Sequence, residues 1–336
     1  MAFAVFTPDS VTIAIQQISG FLSTEMGWTT TYDAGVAEVS IPGKPALFSL
    51  SRSYVDFYEN DRGGFSFEVL HINVSQVPTP FESVTNWLSP INRMFLFAGS
   101  TPEPWCLIVF ETAPGYFAHS YFGYVEKLGV YDGGAIADGT IWPRGLSGST
   151  YEAWNQNGSH LLFNGNYSYS EAHSSVGPRD SGAIEIQHPD APYSAYYFSI
   201  DTSPVREDAY ASGGWGDAYN TLLAWTPSTL VDGSTTLHPV ILFAMLPGGY
   251  GTWNTPVACV PGVRAVDMDL FEEGQIITVG NEDWQVFPLT TRRIAYGEAA
   301  NPADAPGNIV PDSGGSWDMT FRGATERHGL AVRREV

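Results

Sequence analysis

Residues 275–288 read QIITVGNEDWQVFP, in which two short runs of β-branched and aromatic residues flank a turn. The runs are 275–279 and 284–287, and residues 280–283 (GNED) between them are rich in types that tolerate positive φ angles. Pro288 has no backbone N–H to give to a ladder, so it is expected to end the second strand. The stretch predicts a β-hairpin, and it favours an antiparallel arrangement for the chain around it.

The first part of the chain alternates in the same way between turn signals. The one clear helical pattern begins at a cap on Asp9 or Ser10 and runs to about Met26, where Gly27 supplies a stop signal. A second, short helix is predicted at 81–88. The strand patterns lie at 46–58, 65–74, 94–98, 105–112 and 116–125. We therefore expect residues 1–143 to form a helix packed on an antiparallel sheet.

The middle of the chain differs in composition. Residues 144–193 are rich in Gly, Ser, Asn and His, which predicts a loop-rich insertion that serves contacts. A strand at 193–200 and a short helix at 217–225 follow. Residues 194–336 are predicted to form a second β-rich unit that ends in a basic strand. The expected fold class is α+β, predominantly antiparallel β, with the N-terminal helix packed on a sheet.

Composition agrees with strands and turns. The chain has 336 residues with 14% aromatic and only 15% charged side chains, together with 35 Gly and 23 Pro. Its net charge is −21, and phosphate binding needs Lys and Arg, so we expect no specific nucleic-acid binding. The acidic surface would favour solubility, function in a saline environment, or a channel wall along which DNA passes without binding.

Several other classes are disfavoured. The N-terminus lacks a basic segment typical of a secretion signal, and no apolar run is long enough to span a bilayer, so we expect no membrane insertion. Cys106 and Cys259 lie in apolar contexts and are expected to be buried free thiols, although a disulfide stays open.

Catalytic patterns are weak. A metal site would need the histidines at 160, 173 and 188 together with Asp180 or Asp190. The spacing of these residues in the sequence does not favour a metal site. Ser174 beside His173 has no nucleophile elbow. Asp56 and Glu68 lie beside aromatic residues, as the acid and base of a glycosidase can do. Any acidic, aromatic-rich chain offers such pairs, so the pattern does not indicate a glycosidase. We predict no enzyme activity, no catalytic residue, no cofactor and no metal.

The order of several motifs is informative. His238-Pro239 leads into an apolar run, Pro261-Gly262-Val263-Arg264 follows, the hairpin comes next, and residues 328–334 (HGLAVRR) close the chain. An aromatic strand and glycine turn at 116–142 form a second matching stretch. This order resembles the C-terminal part of virion structural proteins of tailed bacteriophages. The resemblance implies a structural part of a phage particle without saying which part. We expect a tail, neck or baseplate component that assembles in the host cytoplasm and contacts copies of itself and other virion proteins.

Candidate contact residues follow from charge and aromatic content. The last twenty residues carry more basic than acidic side chains, so this end is expected to dock on the acidic face of a neighbouring subunit. The predicted interface residues are Arg322, Arg327, Arg333, Arg334, Tyr121 and Tyr124. An alternative function is a receptor- or glycan-binding module at the tail tip, with aromatic platforms at Trp154, Tyr167, Tyr169 and Trp215.

Overall fold

We describe the protein from a computed structural model. The residues that it describes are 1–59, 63–77, 81–86, 91–113, 116–128, 134–139, 183–185, 195–199, 237–244, 255–267, 271–288 and 328–334. Within these ranges the chain is mostly antiparallel β, as the sequence predicts, and it contains a single helix. The predicted insertion at 144–193 lies outside the described residues except for one strand, and the predicted helix at 217–225 lies wholly outside them.

The elements follow one another in this order: β1 (Ala2–Phe6), α1 (Val11–Met26), β2 (Thr29–Asp33), β3 (Val36–Ser40), β4 (Leu47–Glu59), β5 (Gly63–Ser75), β6 (Phe81–Asn86), β7 (Arg93–Gly99), β8 (Trp105–Ala113), β9 (Tyr116–Lys127), β10 (Gly134–Gly139), β11 (Ala183–Glu185), β12 (Ala195–Ser199), β13 (His238–Ala244), β14 (Thr255–Asp267), β15 (Ile276–Val279), β16 (Glu282–Pro288) and β17 (His328–Arg334).

The helix α1 forms where its local signals place it. The Ser10 side chain accepts a hydrogen bond from the Ile13 backbone N–H at 3.3 Å, which satisfies one of the free N–H groups of the first turn. Gly27 ends the helix in the left-handed region, with φ of 65°. The apolar stripe that contains Ile15, Ile18 and Leu22 is fully buried. The predicted helix is thus confirmed.

A five-stranded antiparallel sheet, in the order β2-β3-β4-β5-β6, covers this helix. The short helix predicted at 81–88 is wrong, because residues 81–86 form the last strand of this sheet, β6. β6 pairs with β5 from Phe81↔Val74 to Asn86↔Val69. Ser83 and Thr85, two residues apart, are both buried, which is the period of a strand and not of a helix. The pairing with β5 decides the conformation of this segment.

The second sheet has twelve strands, in the order β1-β7-β8-β9-β10-β11-β12-β13-β14-β17-β16-β15. It curls, and β9 pairs additionally with β14 through Ala258↔Lys127 and Cys259↔Glu126. Strands that lie before residue 143 and after residue 194 are therefore neighbours in one sheet. The predicted strand at 193–200 appears as β12.

Both faces of the curled sheet are covered where β9 runs. Phe117, Tyr121 and Val125 point into an inner cluster formed with β7, β8, β14, β16 and β17. Ala118 and Phe122 point the other way, into an outer cluster shared with α1 and the five-stranded sheet. Because side chains alternate along a strand, this single strand contributes to two cores.

The hairpin predicted from residues 275–288 is confirmed. Val279 pairs with Glu282, so the turn consists of Gly280 and Asn281 alone, and Gly280 has a φ of 67°. The second strand begins two residues earlier than its aromatic pattern suggests and ends at Pro288, as expected. No helix among the described residues is both long and apolar enough to cross a membrane.

Candidate functional site

Three motifs from the sequence, residues 261–264, the second strand of the hairpin and residues 328–334, meet in one place, which we call the C-terminal strand cluster and define as β14, β16 and β17. β17 lies between the other two strands. Leu330 of β17 is opposite Ala265 of β14 on one side and opposite Phe287 of β16 on the other. Three segments that are far apart in sequence therefore form one continuous piece of antiparallel sheet.

The Pro261–Arg264 segment of this cluster packs against a tryptophan of β8. Gly262 has a φ of 74°, and an added Cβ would lie 2.0 Å from the Cε2 and Cζ2 atoms of Trp105. The Trp105 ring is fully buried and stacks on Tyr121, with 6.3 Å between ring centroids and 3° between the planes. The Tyr121 hydroxyl donates to the Pro261 carbonyl at 3.1 Å. The motif therefore joins β14 to the inner core.

The hairpin motif supplies the centre of the same core. Phe287 is fully buried, and its ring centroid lies 5.1 Å from that of Phe95 and 5.8 Å from those of Phe97 and Phe117. The tilted and edge-to-face geometries are those that aromatic pairs prefer. Phe287 thus connects β16 to β7 and β9 across the interior of the curl.

The cluster carries arginines on β14 and at the C-terminal end of β17. The Arg333 Nη2 lies 2.9 Å from the Glu282 Oε1 on the neighbouring strand, and both side chains are about one-third exposed. Arg334 lies over the ring of Phe3 at 4.2 Å, and Arg264 lies over Trp284 at 5.4 Å. Of the four arginines predicted at an interface, Arg333 and Arg334 are partly exposed but already contact their own chain. Arg322 and Arg327 lie outside the described residues.

The predicted interface tyrosines have a different place. Tyr121 is fully buried, and burial raises the pKa of its hydroxyl well above the ordinary value. Tyr124 is 6% exposed, its hydroxyl accepts from the Ala46 N–H at 2.8 Å, and Lys44 lies 4.8 Å above its ring. Neither ring offers an exposed face to a partner. Both tyrosines serve the core, because β9 is covered on both sides.

The alternative glycan-binding site cannot be located in the structure. Its four aromatic residues all lie outside the described ranges: Trp154, Tyr167, Tyr169 and Trp215. The glycan-binding hypothesis stays a prediction from sequence.

An exposed edge strand is the feature that the sequence analysis missed. β15 is the last strand of the twelve-stranded sheet, and among the described residues it pairs with β16 alone. Ile276 is 47% exposed and Val279 is 39% exposed. The acidic residues Glu272 and Asp283 lie near its two ends, and Asp283 accepts a hydrogen bond from the Thr278 hydroxyl at 2.7 Å. Sequence patterns identify β15 as a strand, but its position at an edge depends on the order of all the others.

Ionisable groups in the interior are spread out. Burial raises the pKa of the Cys106 thiol far above its ordinary range, and both Cys106 and Cys259 are free. The buried Glu111 pairs with Arg93, and this hydrogen bond raises the pKa of the arginine. Within the described ranges, no three or more His, Cys, Asp and Glu side chains are grouped so that they could hold a metal ion.

A pH dependence of stability follows from His119 on β9. The side chain is fully buried, and desolvation lowers its pKa from 6.5 to about 3. Because the folded state resists protonation, the contribution of His119 to stability is complete above pH 6.5 and is lost as the pH falls toward 3. We expect a loss of about 2 kcal/mol in the free energy of unfolding at pH 5 relative to pH 7.5 from this group.

Urea unfolding of the wild type and of His119→Gln between pH 7.5 and pH 5 measures this effect. The variant should lack the His119 part of the slope, whereas His71→Gln, at a partly exposed position, should keep it. An unchanged slope in His119→Gln would show that the pKa of this imidazole is the same in the folded and unfolded states and would contradict its depression by burial.

No family model matches the chain, and no curated protein matches it.

Proposed function

We propose that the chain is a non-enzymatic structural subunit of a tailed-phage particle, in the tail, neck or baseplate. It works by assembling with copies of itself and with other virion proteins, and it reaches the particle from the host cytoplasm. Residues 194–336 contribute a second β-rich unit to this subunit. The order of motifs that resembles phage virion proteins supports the proposal, since among the described residues these motifs pack closely around Gly262 and Phe287.

The observation that carries the assembly function is the exposed edge strand β15. An edge strand presents N–H and C=O groups that are ready to pair with another chain, and monomeric proteins usually protect such edges with lysines, prolines or bulges. β15 is short, with four residues, but it contains no lysine or proline, and Ile276 and Val279 are exposed beside the open edge. This composition suits a strand that is covered in an assembly. Contacts of this kind between copies, when they are head-to-tail, close into rings.

Mass spectrometry of purified particles tests the location. We expect peptides of the chain to remain with particles after density-gradient purification, in the fixed stoichiometry of a ring component. If the chain were present in infected cells but absent from purified particles, the proposed place in the virion would be refuted.

The edge strand gives a prediction about assembly in solution. Replacing Ile276 and Val279 together by lysine places two charges beside the open edge, which disfavours pairing with another strand while leaving the hairpin intact. We expect light scattering after size-exclusion chromatography to give a smaller species than the wild type. Val36→Lys is the matched control, since Val36 is 38% exposed but lies on β3, which is paired on both sides. Equal masses for the double variant and the wild type would contradict a role for β15.

A further inference from the structure

We infer that β1 of one copy of this chain pairs with β15 of the next copy, so that the twelve-stranded sheet continues from subunit to subunit. The inference rests on the proposed function and deepens it, since it names the strand that covers the open edge of β15. β1 is the first strand of this sheet and β15 is the last. Among the described residues β1 pairs with β7 alone, as β15 does with β16.

The two edge strands are alike in length and composition. β1 has five residues (AFAVF) and β15 has four (IITV), and neither strand contains a charged residue or a proline. Val5 on β1 is 46% exposed, close to the 47% of Ile276 on β15. Both strands therefore lack the charges and prolines that block strand addition in monomeric proteins, and each is long enough to pair with the other along its whole length.

The directions of the strands fit a head-to-tail contact. Each strand in the order of this sheet is antiparallel to the next one. Because twelve is an even number, the first and last strands run in opposite directions. A second copy that adds its β1 beside β15, with its sheet in the same orientation, continues the antiparallel alternation without a break. Such a contact is heterologous, and heterologous contacts close into rings.

Charge disfavours the other simple arrangement, in which two β15 strands pair about a two-fold axis. The acidic residues that flank β15 in the sequence are Glu272, Glu273, Glu282 and Asp283. Glu282 already pairs with Arg333 of its own chain. Two β15 strands placed side by side would bring two such acidic sets together, and like charges that face each other across an interface weaken it.

The surroundings of β1 carry positive charge instead. The Arg334 guanidinium lies 4.2 Å from the ring centroid of Phe3 on β1. Arg93 begins β7, the partner of β1, and its side chain is 53% exposed although it pairs with Glu111. A second copy that places β1 beside β15 brings these arginines toward the acidic set. The two edges are therefore complementary in charge, which selects β1 as the partner of β15.

Mixing two differently blocked variants tests the head-to-tail contact. Val5→Lys places a charge on the edge of β1 and leaves β15 intact, whereas Ile276→Lys with Val279→Lys blocks β15 and leaves β1 intact. Native mass spectrometry should find single chains for each variant alone. An equimolar mixture, with a mass tag on one variant, should give a complex of one chain of each kind, at about twice the chain mass of 36.5 kDa. Val36→Lys, 38% exposed on β3, should assemble like the wild type.

Cysteine cross-linking is a second measurement that introduces no charge. Antiparallel pairing along the whole of β15 places Val5 opposite Ile276 or one position from it. In a Cys259→Ala background, with the buried Cys106 retained, one tagged chain carries Val5→Cys and the other Ile276→Cys. A bismaleimide that spans about 8 Å, the distance between diagonal neighbours on paired strands, should join them several-fold more often than it joins Val5→Cys to Val36→Cys.

Two results would overturn the pairing of β1 with β15. One is a mixture that stays at the mass of single chains, with mixed cross-links no more frequent than those to Val36→Cys. The other is a Val5→Lys variant that assembles as the wild type does, since a contact through two β15 strands would survive this change. If the wild type is an assembly in either case, only this contact fails, whereas a wild type of single chains removes the proposed function as well.

Discussion

Replacing Gly262 with alanine is expected to destabilise the folded chain by about 4 kcal/mol, which is at the upper end of single-residue effects. Two causes add at this position. The backbone has a φ of 74°, a conformation that costs a residue with a Cβ roughly 1–2 kcal/mol. The new methyl group would also overlap the Trp105 indole at 2.0 Å, and the ring is fixed between Tyr121 and β14.

Gly280→Ala is the matched control for this change. Gly280 has a φ of 67° in the hairpin turn, but no atom lies within 4 Å of the position of an added Cβ. Its substitution should therefore cost only the backbone part, about 1 kcal/mol. Urea unfolding monitored by tryptophan fluorescence compares the two variants. Equal losses would mean that contact with Trp105 contributes nothing and that the close packing of β14 on β8 is not as described.

Truncating Phe287 to alanine is expected to cost about 3–5 kcal/mol in the free energy of unfolding. The side chain is fully buried and contacts the rings of Phe95, Phe97 and Phe117, so its removal leaves a cavity at the centre of the inner cluster. These neighbours are held in β7 and β9, so they can relax into the space only in part. Chemical denaturation at neutral pH measures the loss.

Val279→Ala is the comparison on the same hairpin. Val279 is 39% exposed, and surface truncations of this kind usually change stability by less than about 0.5 kcal/mol. A loss below about 1 kcal/mol for Phe287→Ala would show that β16 is not anchored in the core, and it would remove the basis for treating the C-terminal strand cluster as a scaffold.

The sequence was sufficient wherever local chemistry decides the structure. The cap at Ser10, the stop at Gly27 and the turn at Gly280 act within a few residues, and the helix and hairpin lie where these signals place them. The segment 81–86 shows the opposite case. The sequence of this segment predicts a helix, but the segment forms β6. The adjacent edge of β5 offers backbone hydrogen bonds, and local sequence preference cannot account for these.

The contacts that define the candidate site are between residues far apart in sequence. Tyr121 donates to Pro261, 140 positions away, and Gly262 packs on Trp105. Aromatic residues on β9 looked like an interface from sequence, since nothing in a single strand reveals that both of its faces will be covered. The exposure of β15 depends in the same way on the order of all twelve strands.

We propose that this chain works by assembling with copies of itself. Native mass spectrometry of the purified wild-type chain tests it most directly, since one chain has a mass of 36.5 kDa. We predict a discrete species of two or more chains, at a whole-number multiple of that mass, which persists on dilution through the micromolar range. A single species at 36.5 kDa at every concentration would contradict self-assembly as the function of this chain.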